Sequence, residues 1–124
     1  MAGRALAPQL ASGHPARVEA RRHARAFGPQ SIVAIGGGSV LDTAKAVAGL
    51  LDTPEPVERF LEGLGRTLEI PGPGVPWIAV PTTAGTGAEA TRNAVLRLKD
   101  PGFKRSLRSP FLLAAAVIVD PALT

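Results

Sequence analysis

Cysteine and tyrosine are absent from this 124-residue chain, and tryptophan and methionine occur once each. Without cysteine there is neither a disulfide framework nor a thiolate metal site, which favours a cytoplasmic compartment over an oxidising one. Histidine is nearly as scarce. His14 and His23 stand nine residues apart near the start, a spacing that sets no i, i+4 metal pair on one helix face, so both are expected at the surface. No apolar run approaches the roughly 20 residues that span a bilayer. The opening residues 1–5, with Arg4 among them, lack the uninterrupted apolar stretch of a secretion signal. These absences predict a chain that is neither membrane-bound nor exported. With 45% hydrophobic residues it can bury one modest core, and one domain is expected.

Acidic residues are also short near the start. Within residues 1–30, Arg4, Arg17, Arg21, Arg22 and Arg25 face Glu19 alone, inside an overall net charge of +4. Such a cluster can attract a phosphate backbone. Here, however, the arginines interleave with Ala16, Val18, Ala20, Ala24, Ala26 and Phe27, as on the wet side of an amphipathic helix. No aromatic stacking series accompanies them. The reading is a solvated helix face over residues 15–27, and nucleic acid is not expected as a partner.

What is present is concentrated in two segments. Ile32, Val33 and Ile35 form a short β-branched run that meets Gly36, Gly37, Gly38 and Ser39, and a helix over residues 39–51 follows. Glycines at a strand-to-helix turn let a ligand approach the bare backbone, and the helix N-terminus offers unpaired N–H groups and partial positive charge. The pattern points to the diphosphate of a nucleotide or dinucleotide. Val40, Ala44, Val47 and Leu51 give that helix one apolar stripe, while Ser39 could act as its N-cap and Asp42 is placed in its first turn. Lys45 by itself reads as a solvated or sheet-packed lysine.

Asp52 to Pro56 breaks the helix, residues 57–61 can form a helical turn, and a glycine- and proline-rich connection runs to Val75. Residues 77–80 then read as a second buried strand ending at Pro81, which implies a parallel crossover. The second segment leaves the carboxyl end of that strand, where open α/β sheets place ligands. It offers Thr82, Thr83 and Thr86 among Gly85 and Gly87. Residues 93–98 and 103–108 flank Lys99-Asp100-Pro101-Gly102 as a hairpin, and residues 114–119 are expected as a third core strand.

Taken together, Gly-Gly-Gly-Ser-x-x-Asp-x-x-Lys at 36–45, Pro-Thr-Thr-Ala-Gly-Thr-Gly-Ala-Glu-x-Thr at 81–91, Lys104 and Val-Asp-Pro-Ala-Leu-Thr at 119–124 resemble the iron-containing (group III) alcohol dehydrogenase family. The resemblance runs over about residues 17–124. It implies an α/β fold: an incomplete Rossmann-like parallel sheet with flanking helices, of the type shared with dehydroquinate synthase. Residues 1–124 would then be a partial dinucleotide-binding domain. The family's first strand–helix–strand unit and its C-terminal helical domain with the metal ligands are expected to be absent from this chain.

Carried over by position, the resemblance implies that Gly37, Gly38, Ser39 and Asp42 hold an NAD or NADP cofactor at the helix start. Thr82, Thr83 and Thr86 would line the other side, with Asn93 and Lys104 reaching in from the hairpin. The family reaction is hydride transfer between the dinucleotide and a small alcohol or aldehyde, aided by iron or sometimes zinc. No metal ligand and no catalytic residue is assigned in this chain, because residues 31–124 hold no His, Cys or Tyr. The chain is therefore expected to supply cofactor binding and to be inactive alone, with homo-oligomerisation open. The alternative is a non-catalytic nucleotide-binding or interaction remnant. Glycerol and glycerol-phosphate dehydrogenases share the glycine turn but follow the Thr-Thr-Ala-Gly-Thr-Gly pattern less faithfully. Bare strand edges and apolar helix faces would drive self-association of the isolated chain.

Overall fold

The computed structural model describes residues 14–97 and 104–124, apart from the side chains of residues 14–19. Helix α1, His14–Phe27, ends at Gly28, whose φ of 68° lets its N–H return to Ala24 O at 2.9 Å. Strand β1, Ile32–Gly36, follows, and helix α2, Gly38–Leu50, starts two residues beyond it. Strand β2, Trp77–Pro81, lies parallel to β1 with Ile32 opposite Trp77 and Gly36 opposite Pro81. Both strands thus end level with each other, one in the glycine turn and one in the threonine segment. Thr82 N–H donates to Gly36 O at 3.0 Å and ties those two ends together.

Helix α2 is the centre of the packing. The sequence suggests one apolar stripe, but the helix buries three faces. Leu41, Ala44 and Ala48 pack with Ala34, Trp77 and Ala79 of the sheet. Ala46 and Leu50 pack with Phe60, Ile70, Leu96, Leu107 and Leu112. Val47 meets Ala20 of α1 together with Leu51. The small residues of this helix are what permit contact on all sides, and Gly74 shows how close the contact comes. A Cβ at Gly74 would lie 2.0 Å from Ala48 O, while Val75 N–H donates to that same oxygen at 3.1 Å.

Two expectations about exposure are corrected here. The arginines of α1 do not all lie on a wet face. Arg21 Nε donates to Leu50 O at 2.9 Å, and its guanidinium also reaches Glu55 O at 3.1 Å, Thr53 Oγ1 at 2.9 Å and Thr53 O. Arg25 donates to Leu51 O at 2.8 Å and Thr53 O at 2.6 Å. The last carbonyls of a helix lack intrahelical donors, and two cations at that end satisfy them and complement the dipole. Arg22 and His23 do stay exposed.

The third strand is the second correction. Strand β5, Ala116–Val117, pairs parallel with β2 through Ile78↔Ala116 and Ala79↔Val117, giving the sheet order β1-β2-β5. It is shorter than residues 114–119 and is an exposed edge, not a core strand. Its two side chains point to opposite faces and both are exposed, because β5 is the outermost strand of the sheet among the described residues. On β1, Val33 and Ile35 alternate with Ala34, which packs on α2, so they face the other side of the sheet and stay 56% and 62% exposed. The bare apolar surface therefore belongs to the sheet, whereas α2 is buried from Leu41 onward except for half-buried Asp42.

An antiparallel pair completes the fold. Strand β3, Asn93–Arg97, pairs with β4, Lys104–Arg108, with Asn93 opposite Arg108 and Arg97 opposite Lys104. The connection expected at Lys99-Asp100-Pro101-Gly102, with Leu98 and Phe103, falls outside the described residues. Short 3-10 turns at Val57–Phe60, Ala88–Ala90, Pro110–Leu112 and Pro121–Leu123 link the elements.

Candidate functional site

The glycine turn is built to be close. A Cβ at Gly36 would fall 2.6–2.9 Å from three carbons of Val40, so the strand can feed directly into α2 only without a side chain there. Gly37 is the N-cap of α2 in extended conformation, and no side chain caps the helix. The N–H groups of Gly38, Ser39 and Val40 therefore have no intrahelical acceptor and point out of the helix start. Ser39 is not the N-cap. It lies inside the first turn, exposed, with its carbonyl accepting from Thr43 Oγ1 at 2.8 Å.

The threonine segment stands across from this turn. A Cβ on Gly37 would be 2.9 Å from Thr83 Oγ1, and one on Gly38 would be 3.6 Å from Thr86 Cβ. Gly85 and Gly87 take φ values of 89° and 67°, which folds the segment back over the helix start. Thr86 Oγ1 accepts from Ala88 N–H at 3.4 Å. Thr82 is half-buried at the strand end, and Thr83 and Thr86 are exposed. Gly37, Gly38, Ser39, Thr82, Thr83 and Thr86 are thus gathered at one mouth, at the carboxyl ends of two parallel strands.

Asp42 is placed differently. It sits in the second turn of α2, beyond the reach of the helix terminus, and its carboxylate turns to the hairpin. Oδ2 accepts from Val95 N–H at 3.0 Å, and Oδ1 lies 3.3 Å from Lys45 Nζ. Lys45 also donates to Thr91 Oγ1 at 2.8 Å and Asn93 O at 2.9 Å, and its side chain is 0% exposed. Burial pushes the Lys45 ammonium below its ordinary pKa, against the opposing pull of Asp42 and Glu89. Of the two readings of Lys45, solvated or sheet-packed, the buried bond to β3 supports the second, while its pairing with Asp42 lies outside both. The signal available was the i, i+3 spacing of a carboxylate and an ammonium on one helix face.

These bonds also fix where the hairpin residues lie. Asn93 faces Lys45 and Val95 faces Asp42, so β3 runs antiparallel to α2, toward the glycine turn. Two further strand residues, about 7 Å, carry β3 to Arg97, and a matching step along the helix reaches its first turn. Lys104, opposite Arg97, is therefore the hairpin residue at the glycine-turn end, while Asn93 stands at the other end. A ligand touching both must be extended, as a dinucleotide is. A shallow depression of about 410 Å³, bounded by Thr91, Arg92, Asn93 and Arg108, opens at the Asn93 end. Among the described residues, no group of three or more His, Cys, Asp or Glu could hold a metal ion. Among them, too, no helix is long and apolar enough to cross a membrane.

Known proteins share this fold. Sulfoacetaldehyde reductase of Bilophila wadsworthia is 42% identical over 101 residues, which cover 82% of this chain and 25% of that protein. The crystal structure of sulfoacetaldehyde reductase from Bifidobacterium kashiwanohense in complex with NAD⁺ superimposes with a TM-score of 0.81 at 34% identity, covering 89% of this chain and 28% of that one. NADH-dependent butanol dehydrogenase A from Thermotoga maritima gives a TM-score of 0.79 at 28% identity, covering 88% and 26%. The chain spans about a quarter of the length of such relatives. The sequence profile of iron-containing alcohol dehydrogenases matches residues 15–121, taking in the glycine turn, the threonine segment and the hairpin alike. By that match, and by a fold that places the same motifs at one mouth, this chain belongs to the iron-containing alcohol dehydrogenase family.

Proposed function

We propose that residues 1–124 supply the dinucleotide-binding part of an NAD(P)-dependent alcohol dehydrogenase, a whole protein that moves hydride between the cofactor and a small alcohol or aldehyde. The observation that carries this reading is the uncapped start of α2 at Gly37, held so close to Thr83 that a Cβ at Gly37 would be 2.9 Å from the hydroxyl. Packing on Val40 accounts for Gly36, but not for Gly37 and Gly38 beside an open helix terminus; a pyrophosphate does. The bound dinucleotide would supply the hydride acceptor.

The work of this chain's residues is binding and orientation. Backbone N–H groups of Gly38 and Ser39 would donate to pyrophosphate oxygens, with Gly37 keeping the approach clear. The hydroxyls of Thr82, Thr83 and Thr86 would fix the opposite side, and Lys104, level with the turn, would add positive charge against an anionic ligand. Asn93 would meet the far end of an extended cofactor. Asp42 is retained as a site residue through its hold on the hairpin. The iron or zinc of the family finds no ligand set among the described residues, and chemistry that needs it belongs to another part of the whole protein. A non-catalytic remnant is the less favoured reading, since both ligand-facing segments persist together.

Isothermal titration of the purified chain with NAD⁺ and NADP⁺, with and without ferrous iron, tests the proposal. Dinucleotide binding indifferent to iron is the expected result and also chooses between the two cofactors. A folded chain that binds neither would overturn it.

A further inference from the structure

Among the described residues, no other strand covers the free edge of β3. In an antiparallel pair, alternate residues turn their N–H and C=O away from the partner, and on an edge strand those groups need another satisfier. Asn93 O and Val95 N–H are such groups, and both are met by side chains of one helix. Lys45 Nζ donates to the carbonyl at 2.9 Å, and Asp42 Oδ2 accepts from the amide at 3.0 Å. Asp42 and Lys45 are joined to each other at 3.3 Å, and the third donor of Lys45 goes to Thr91 Oγ1. The pair therefore presents one acceptor and one donor in the order that a neighbouring strand would.

We propose that Asp42 and Lys45 act as a side-chain clamp that fixes how far the β3–β4 hairpin slides along α2, and so hold Lys104 level with the glycine turn. Apolar contacts between the hairpin and α2, such as Leu96 and Leu107 against Ala46 and Leu50, hold the two together but fix their longitudinal register weakly. The two hydrogen bonds to consecutive outward groups of β3 are directional and admit one register. A slip to the next equivalent pair would move Lys104 by two residues, about 7 Å, away from the turn. Asp42 and Lys45 are thus positioning residues for Lys104. This inference rests on the dinucleotide reading of the site.

The test is a double-mutant cycle on the full chain, read by NAD⁺ titration. Lys104→Ala and Lys45→Met are each expected to weaken NAD⁺ binding by about tenfold, and the double variant by about tenfold again in total, because the second change removes a contact already lost. A multiplied, roughly hundredfold loss, or a Lys45→Met variant that binds normally, would overturn the clamp. Global destabilisation does not produce that coupling. If Lys45→Met fails to fold, Asp42→Asn replaces it in the cycle, keeping an acceptor for Val95 while removing the charge that holds Lys45. Should the parent chain bind no NAD⁺, the cofactor reading falls on its own, and amide exchange decides the clamp. Loss of Val95 protection in Asp42→Ala, with the rest of β3 and β4 still protected, supports it; unchanged Val95 exchange refutes it.

Discussion

Three adjacent alanine substitutions separate what the glycine turn does for the fold from what it does for a ligand. At Gly36 a new Cβ would meet three Val40 carbons at 2.6–2.9 Å. Val40 is β-branched and held in the first turn of α2, so it cannot rotate aside, and overpacking of this kind costs about 1–3 kcal/mol. With a urea dependence of roughly 1–3 kcal/mol per molar, the unfolding midpoint of Gly36→Ala should fall by on the order of 1 M. At Gly38 the new Cβ would rest 3.6 Å from Thr86, an ordinary contact. Alanine is the better helix former by up to about 1 kcal/mol, so Gly38→Ala should be as stable as the parent or slightly more so. Its methyl nevertheless projects into the gap where the pyrophosphate would lie. NAD⁺ binding should weaken at least tenfold, about 1.4 kcal/mol, and Gly38→Val should abolish it. Gly37→Ala falls between, since its neighbour at 2.9 Å is the hydroxyl of an exposed Thr83. Paired urea melts and titrations read all three. Undiminished affinity in Gly38→Ala would remove the turn from the site, and an unaltered midpoint in Gly36→Ala would refute the packing argument.

Trp77→Phe should cost about 1–3 kcal/mol, because the buried indole N–H bonds Leu112 O at 3.0 Å and its loss leaves that carbonyl unsatisfied; chemical denaturation measures it. Gly74→Ala should be among the most damaging single changes and yield mostly insoluble protein, since its Cβ would strike the backbone of α2. The lowered pKa of Lys45 gives a pH signature of definite sign. Between the folded value and 10.5 the unfolded chain binds more protons, so burial of the charge costs stability at neutral pH and that cost is relieved as pH rises through the window. The stability of the parent relative to Lys45→Met should therefore climb from pH 7 toward 10.5 in urea melts, and a flat or falling difference would contradict it. The bare sheet face predicts concentration-dependent self-association by light scattering, reduced by Val33→Thr with Ile35→Thr.

The features legible in the sequence were those with a local cause. Glycines after a β-branched run announced the turn, prolines at 54 and 56 ended α2, and the Lys99-Asp100-Pro101-Gly102 turn between residues 93–98 and 103–108 pointed to the hairpin. What escaped was set by partners distant in sequence. Arg21 and Arg25 looked solvated because the carbonyls they satisfy belong to residues 50–55. Residues 114–119 read as a core strand on hydrophobicity, but burial depends on a covering layer that composition cannot report. Ser39 was a reasonable cap by type, yet the helix began at Gly38, one residue earlier, and put the hydroxyl inside the first turn. Asp42 pointed at the cofactor in the motif and at Val95 in space, since only the crossover brings the hairpin alongside α2.

Helix α2 joins the open terminus to all three packing clusters, and this makes the ligand a participant in folding by mass action. A molecule that binds the folded turn and not the unfolded chain adds RT ln(1 + [L]/Kd), about 2.7 kcal/mol at a hundredfold excess over Kd. For a chain of this size that is a rise on the order of 10 °C in melting temperature. Since α2 cannot loosen without disturbing every cluster, the stabilisation would not stay near the mouth but would reach Trp77 and Leu107, far from any phosphate.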